Sequence, residues 1–308
     1  MTTTPHGGGL AAVAAALGPR AETDVALGPF TTYRVGGPAA LFTTIDDEAQ
    51  LVALAPIVAE AGVPVLVVGK GSNLLVADVG FDGLAVRLGD CFADIAVDGT
   101  TVRAGGAASL PVTARRTAAA GLTGFEWAVG VPGSIGGAVR MNAGGHGSDM
   151  AASLVRVRVV DLVAGEDGVV NATDLALGYR TSSVGSSQVV VWAELRLAVG
   201  DPATSQAEIS EIVRWRREHQ PGGANAGSVF TNPPGDSAGR LIDAAGCKGL
   251  RVGTAEVSPK HANFIQADDG GSSADVRAVM EAVRSRVAEA TGYQLRSEVR
   301  LIGFEDEG

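Results

Sequence analysis

Val63-Pro64-Val65-Leu66-Val67-Val68-Gly69-Lys70-Gly71-Ser72-Asn73 is the stretch on which the reading of the fold turns. Its β-branched apolar run, without polar alternation, predicts a buried strand, and the strand delivers the chain directly into a glycine loop. Upstream, residues 42–45 are apolar, and Asp46 or Asp47 can cap a helix with Leu51, Leu54 and Val58 on one face. Gly62 ends that helix, and residues 84–88 read as the next strand. The expected order is strand, helix, strand, glycine loop, strand.

Further along, a strand is expected at 101–104, then a helix over 109–120 closed by Gly121. A second glycine-dense stretch follows, Gly130-Val131-Pro132-Gly133-Ser134-Ile135-Gly136-Gly137, continuing to Asn142-Ala143-Gly144. Strand patterns return at 154–162 and 189–199. Asp201-Pro202 reads as a linker, and Ser205-x-x-Glu208 as a capping box for a helix through Ile209, Ile212 and Val213, placing a domain boundary near residue 200. Ser272 or Ser273 caps a long helix whose apolar face is Val276, Val279, Met280, Val283 and Val287, stopped by Gly292. A last strand is expected over 294–302, with Leu295, Val299 and Leu301 on one face and Arg296, Glu298 and Arg300 on the other. The polar, Gly-rich residues 1–9 read as disordered, with a short Ala-rich helix after them.

The chain has 308 residues, 46% hydrophobic and 19% charged, a globular composition with room for more than one core. Its 43 glycines point to backbone that something approaches closely. A net charge of −10 with no basic run argues against an electrostatic hold on nucleic acid or anionic lipid. Cys91 and Cys247 share no metal or disulfide spacing and are expected as buried free thiols. The apolar residues 10–17 lack the basic flank of a secretory signal, and no run approaches the ~20 residues of a membrane span, so cytoplasmic residence is expected.

Glycine-rich turns can offer backbone N–H groups to phosphate oxygens without net positive charge. The two stretches are neither a Walker loop nor a G-x-G-x-x-G fingerprint, which disfavours a P-loop kinase and a Rossmann site; tight turns alone also account for either stretch. Arg180 can clamp a carboxylate or stabilise developing negative charge, or lie on the surface. Ser228 in Ala226-Gly227-Ser228-Val229-Phe230 offers a hydroxyl, or serves a turn, and is no G-x-S-x-G nucleophile. Glu298 lies between Arg296 and Arg300, which favour its carboxylate; proton shuttling there requires burial, and an ion-pair ladder is the alternative. Of the histidines, His6 and His219 lie in polar ends, while His146 and His261 can line a pocket; no spacing suggests a metal.

In this order, Thr31-Thr32-Tyr33-Arg34-Val35-Gly36-Gly37-Pro38, the first glycine loop through Leu75, the second glycine stretch, Met141-Asn142-Ala143-Gly144, Tyr179-Arg180-Thr181-Ser182, Gly227-Ser228-Val229-Phe230-Thr231-Asn232-Pro233, Ala238-Gly239-Arg240-Leu241-Ile242-Asp243, Lys260-His261-Ala262-Asn263-Phe264-Ile265 and Glu298-Val299-Arg300 carry a resemblance. Over residues 20–304 the chain resembles the UDP-N-acetylenolpyruvoylglucosamine reductase family, FAD enzymes of bacterial cell-wall precursor synthesis. The resemblance implies an α+β fold: an FAD-binding domain of the PCMH or vanillyl-alcohol-oxidase type at 20–200, with subdomains of about 20–88 and 89–200, and a C-terminal α+β substrate-binding domain at 201–308. Residues 1–19 fall outside it.

It also implies FAD as cofactor, with NADPH as hydride donor and UDP-N-acetylglucosamine enolpyruvate as the substrate reduced to UDP-N-acetylmuramate. The FAD contacts it implies are Val68, Gly69, Lys70, Gly71, Ser72, Asn73, Leu74, Gly130, Pro132, Gly133, Ser134, Gly136, Gly137, Val139, Asn142, Ala143 and Gly144. Arg180, Ser228 and Glu298 would be catalytic. The segment between Arg180 and Ser228 is too short for the tyrosine-bearing insertion of one subtype, so the chain resembles the subtype without it. His146 stands where many relatives have tyrosine and Thr231 where many have lysine, leaving His146, Asn232, Arg240, Lys260 and Arg300 as substrate contacts. Another flavin oxidase or dehydrogenase, an inactive FAD-binding protein and a serine hydrolase remain as alternatives. The resemblance implies no nucleic-acid partner and no membrane insertion, and leaves the oligomeric state open.

Overall fold

The computed structural model describes residues 7–304, and their chain segments interleave to build two compact units. The first comprises residues 7–24, 40–70 and 82–216; the second comprises 25–39, 71–81 and 217–304. In the first, a four-stranded sheet has the order Glu22–Ala26, Pro38–Ile45, Phe81–Leu88, Val65–Val68. Helix Glu48–Ala61 connects two of these strands; Asp47 starts it by accepting from the Ala49 N–H at 2.8 Å, and Gly62 at φ +61° ends it. Strands Val65–Val68 and Phe81–Leu88 are parallel, so the chain between them must run back along the sheet. That connection begins with the first glycine loop, which leaves the carboxyl end of the sheet's edge strand, Val65–Val68.

A five-stranded antiparallel sheet completes the first unit, in the order Glu166–Asn171, Leu154–Asp161, Gln188–Arg196, Thr101–Gly105, Ile95–Asp98. Its central strands explain the apolar runs of the sequence. Val157 and Val190 pack into one core, while Val160, Val189 and Val191 pack into another. The period of two is present, but both faces are covered, so neither strand needs polar alternation. Each fully buried aliphatic side chain there contributes roughly 1.5–3 kcal/mol. Helix Pro202–His219 belongs largely to this unit, burying Ile209 and Ile212 in its core.

In the second unit, helices Ala238–Ala244 and Ser273–Thr291 share a core with the antiparallel strands Arg251–Val252, Ala255–Val257 and Ile265–Ala267. Tyr33, Val35 and Leu75 enter the same core from the N-terminal half of the chain. Leu74–Val76 pairs in parallel with Arg300–Ile302. Helix Ser273–Thr291 matches expectation: Ser272 caps it, Gly292 at φ +78° stops it, and the five apolar residues named above are buried.

Four expectations change. Gly7–Gly9 are the first turn of helix Gly7–Leu17, while residues 1–6, His6 among them, lie outside the described residues. Ser205 does not begin a helix: Pro202 does, with Asp201 accepting from the Thr204 N–H at 2.8 Å, and the Ser205 hydroxyl instead donates to the buried carboxylate of Glu126. Burial raises the Glu126 pKa, but the hydrogen bonds from Ser205 and the Gly124 N–H outweigh it and hold the carboxyl below its ordinary value. The final strand is confined to Arg300–Ile302, and Leu301 is exposed while Leu295 and Val299 are buried. Cys247 is buried, but Cys91 is exposed. Among the described residues, no helix is long and apolar enough to cross a membrane.

Candidate flavin and catalytic site

The first glycine loop has the properties of an anion cradle. Among the described residues, the backbone N–H groups of 69–73 have no hydrogen-bond partner, a run of five donors outside any ladder. Two glycines are needed on steric grounds. A Cβ on Gly69 would fall 2.7 Å from the Ser134 hydroxyl oxygen, and Gly71, at φ +60°, would place one 2.0 Å from the Phe30 carbonyl oxygen. The two glycine stretches thus meet within the first unit, at Gly69 and Ser134.

The second stretch differs from the open nest expected of it. Ile135 and Gly136 donate to the carbonyls of Ala108 and Gly106, both at 2.9 Å, and Gly137 donates to Ser134 Oγ at 3.3 Å. These donors are consumed in seating helix Ile135–Met141 on the end of a neighbouring strand, so closely that a Cβ on Gly136 would fall 3.2 Å from the Gly106 carbonyl oxygen. The residues of the first loop fit a pyrophosphate-bearing cofactor, which their unpaired N–H groups suit.

Arg180 lies in a four-residue turn closed between Gly178 and Thr181, with a backbone φ of +58°. That conformation suits glycine and costs an arginine about 1 kcal/mol or more. The turn is tied down by side chains. Arg180 Nη1 donates to the Gly144 carbonyl at 2.9 Å, Asn142 Nδ2 to the Gly178 carbonyl at 2.9 Å, and Ser182 Oγ to the Arg140 carbonyl at 2.7 Å. Gly144–Gly145 pairs with Ser148–Asp149 across a two-residue hairpin whose tip, His146 and Gly147, has positive φ at both positions. The His146 ring stands edge-on to Trp215 at 5.4 Å. Burial, then the nearby charge of Arg216, lowers the His146 pKa below its ordinary value.

Ser228 and Glu298 come together in the second unit. Glu298 N–H donates to the Val229 carbonyl at 2.7 Å, Thr231 N–H to the Arg296 carbonyl at 3.0 Å, and Phe230 bridges Ser297. Asn73, the last residue of the first glycine loop, donates from its amide to the Glu298 carbonyl at 3.0 Å and accepts from the Arg300 N–H at 2.9 Å. The hydroxyl of Ser228 has no hydrogen-bond partner among the described residues. Asn263, which sequence reasoning did not place in the site, is 4% exposed and grips Phe230 from both ends of its amide, at 3.0 and 2.8 Å. Its place in Lys260-His261-Ala262-Asn263-Phe264-Ile265, one of the stretches that carry the resemblance, was the available signal for it.

Residues 219–302 match the family model described as the C-terminal domain of UDP-N-acetylenolpyruvoylglucosamine reductase, and residues 39–168 match an FAD binding domain. The UDP-N-acetylenolpyruvoylglucosamine reductase of Heliobacterium modesticaldum is 45% identical over 278 residues, 89% of this chain and 88% of that protein. The chain belongs to the UDP-N-acetylenolpyruvoylglucosamine reductase family. A reductase of that name from Paramagnetospirillum magneticum is also 45% identical, over 92% of both chains. The crystal structure of UDP-N-acetylenolpyruvylglucosamine reductase from Thermus caldophilus aligns with a TM-score of 0.80 at 36% identity, covering 92% of this chain and 99% of that one.

Within this family member, the side chains expected to touch substrate mostly have internal partners. Arg240 is paired with Asp236, its Nε 2.7 Å from Oδ1; Asn232 Oδ1 accepts from the Ala238 N–H at 3.0 Å; and Lys260 Nζ donates to the Arg217 carbonyl at 2.6 Å. Arg300 is exposed, its peptide paired with Leu74.

Proposed function

We propose that this protein reduces the enolpyruvyl group of UDP-N-acetylglucosamine enolpyruvate to the lactyl ether of UDP-N-acetylmuramate, with NADPH as reductant, in the cytoplasm. FAD, when bound, accepts hydride from NADPH and supplies it to C3 of the vinyl group. The amides of residues 69–73 would hold its pyrophosphate, in a loop whose path needs glycine at 69, beside Ser134, and at 71, beside Phe30. Hydride arrival at C3 leaves negative charge on C2 and the carboxylate of the substrate. The fixed guanidinium of Arg180 stabilises that charge, Glu298 assists only as the neutral acid, since its carboxylate would oppose the charge, and Ser228 delivers the proton that completes C2. Residues 20–200 would bind the cofactor and 201–308 much of the substrate.

The observation that carries this reading is the seam in the second unit, where the glycine-loop residue Asn73, Glu298 and the Ser228 segment are joined within one hydrogen-bonded set. Support comes from the 45% identity over nearly the whole of two reductases. The purified protein should carry an oxidised-flavin spectrum that bleaches anaerobically under NADPH and returns when the enolpyruvyl substrate is added. Bleaching without substrate-dependent return would point to a different acceptor.

A further inference from the structure

We infer that Asn142, backed by Asp149, is a positioning residue for Arg180. Asn142 is buried, at 3% exposure, where helix Ile135–Met141 ends in a left-handed turn at φ +38°. Its amide meets three partners: Oδ1 accepts from the Ala151 N–H at 2.9 Å, while Nδ2 donates to Asp149 Oδ2 at 3.1 Å and to the Gly178 carbonyl at 2.9 Å. All three agree on which end of the amide is oxygen. Aspartate is therefore no substitute, because its carboxylate would face a second carboxylate and a carbonyl.

The Gly178 carbonyl is the point that matters. It also closes the turn by accepting from the Thr181 N–H at 3.2 Å, so the Asn142 amide grips the hinge of the segment that carries Arg180 in its unfavourable conformation. Asp149 in turn is fixed by its pairing with Gly144, whose carbonyl takes the Arg180 guanidinium, and its Oδ1 accepts from the Ala152 N–H at 3.3 Å. One buried amide thus ties together the helix end, the hairpin that accepts from Arg180 and the turn that presents it. A strained turn relaxes when its anchor goes, and a displacement of about 1 Å in a charge-stabilising group costs on the order of a hundredfold in rate.

This inference rests on the reading of Arg180 as the group that stabilises charge on the substrate. The test is a double-mutant cycle on the FAD-loaded enzyme, following reoxidation of NADPH-reduced flavin by the enolpyruvyl substrate and normalising to bound flavin. Asn142→Gly is the informative variant, since glycine keeps the left-handed helix end and deletes only the amide. It should slow reoxidation by about ten- to a hundredfold in the presence of Arg180 and by less than about twofold in an Arg180→Ala background. A purely structural role would multiply through both backgrounds and overturn the inference, as would an unchanged rate. A raised FAD dissociation constant with an unchanged rate per bound flavin would overturn it too, assigning Asn142 to the cofactor instead. If Asn142→Gly does not fold, Asp149→Asn, which weakens the same grip, must show the same non-additivity. Should Arg180→Ala alone leave reoxidation intact, the reading of Arg180 fails, whereas a slow Arg180→Ala beside a normal Asn142→Gly fails the clamp alone.

Discussion

Asn142 in the first unit and Asn263 in the second are both almost fully buried, and each spends both ends of its amide on fixed partners, yet the segments they hold are unalike. Asn142 holds a turn whose arginine occupies a conformation it disfavours, and the neighbouring ties, from Arg180 and Ser182, are also side-chain hydrogen bonds. Asn263 holds a segment that backbone pairing already secures, through Val229 to Asn263, Glu298 to Val229 and Thr231 to Arg296. The cation is thus held by side chains against strain, while the hydroxyl and carboxylate are held by main chain without it. Substitutions around Arg180 should therefore alter geometry and rate, and those around Ser228 should remove either chemistry or stability but not trade one for the other.

The largest effect expected from this contrast is at Ser228. Its hydroxyl supports no hydrogen bond among the described residues, so Ser228→Ala should melt with wild type while slowing reoxidation by the enolpyruvyl substrate about 10²–10⁴-fold. Flavin reduction by NADPH should proceed as before. A normal reoxidation rate in stopped flow sinks the assignment, and a large drop in melting temperature breaks the claim that the Ser228 hydroxyl has no part in securing this segment.

At Arg180 the same experiment should read differently. Arg180→Gly removes the charge and should cost about 10²–10³-fold in reoxidation. Glycine also relieves the backbone at φ +58°, a gain of about 1 kcal/mol, which offsets the loss of the hydrogen bond to Gly144, itself worth about 1 kcal/mol. Calorimetry should find stability nearly unchanged. A variant destabilised by several kcal/mol would mean that the turn is not strained.

The local fold around these anchors is legible in the sequence, and the part that is not has a physical cause. Strand, helix and glycine loop over 42–73 follow from local capping and burial, which is why Asp47, Gly62 and Ser272 act as their spacing suggests. Partners distant in the chain were invisible. Asn142 reads as an FAD contact in a glycine-rich stretch, and nothing local shows that Gly178, 36 positions on, supplies a carbonyl it holds. Ser205 reads as a cap because nothing local reveals that Glu126, 79 positions earlier, takes its hydroxyl. The interleaving of the units escaped for the same reason: Tyr33 and Val35 are buried among residues of the C-terminal third, a pairing no periodicity encodes. The strand expected over 294–302 shortens because residues 296–298 bond to the Ser228 segment as isolated contacts rather than along a ladder.

Asn263 sharpens the comparison from the stability side. Asn263→Ala leaves the N–H and carbonyl of buried Phe230 without their partners, and each orphaned group costs about 1–3 kcal/mol. Chemical denaturation should therefore show a loss of about 2–6 kcal/mol, with the surviving folded fraction reoxidising near the wild-type rate, because backbone pairing still sets Ser228 beside Glu298. A rate that falls in step with stability would place Asn263 in the same class as Asn142.

Asp78 gives the smallest effect and the one that depends on pH. Its carboxylate accepts from the Ser272 hydroxyl at 2.6 Å and from the Ser273 and Ala274 N–H groups at 2.9 and 3.1 Å, adding a side-chain tie at the start of helix Ser273–Thr291. Burial pushes its pKa up, but these hydrogen bonds outweigh it and hold the carboxyl below its ordinary value. A carboxylate whose folded pKa lies below its unfolded value of about 3.9 contributes all its stability above that pH and loses it as pH falls through the folded value. Asp78→Ala should then be less stable at pH 7 by about 1 kcal/mol, the usual scale of a lost helix cap, because Ser272 still caps the helix through its own hydroxyl. The gap between variant and wild type should close as pH drops below about 4. If it persists there at full size, hydrogen bonding to the neutral acid is sufficient and the charge contributes nothing at this helix start.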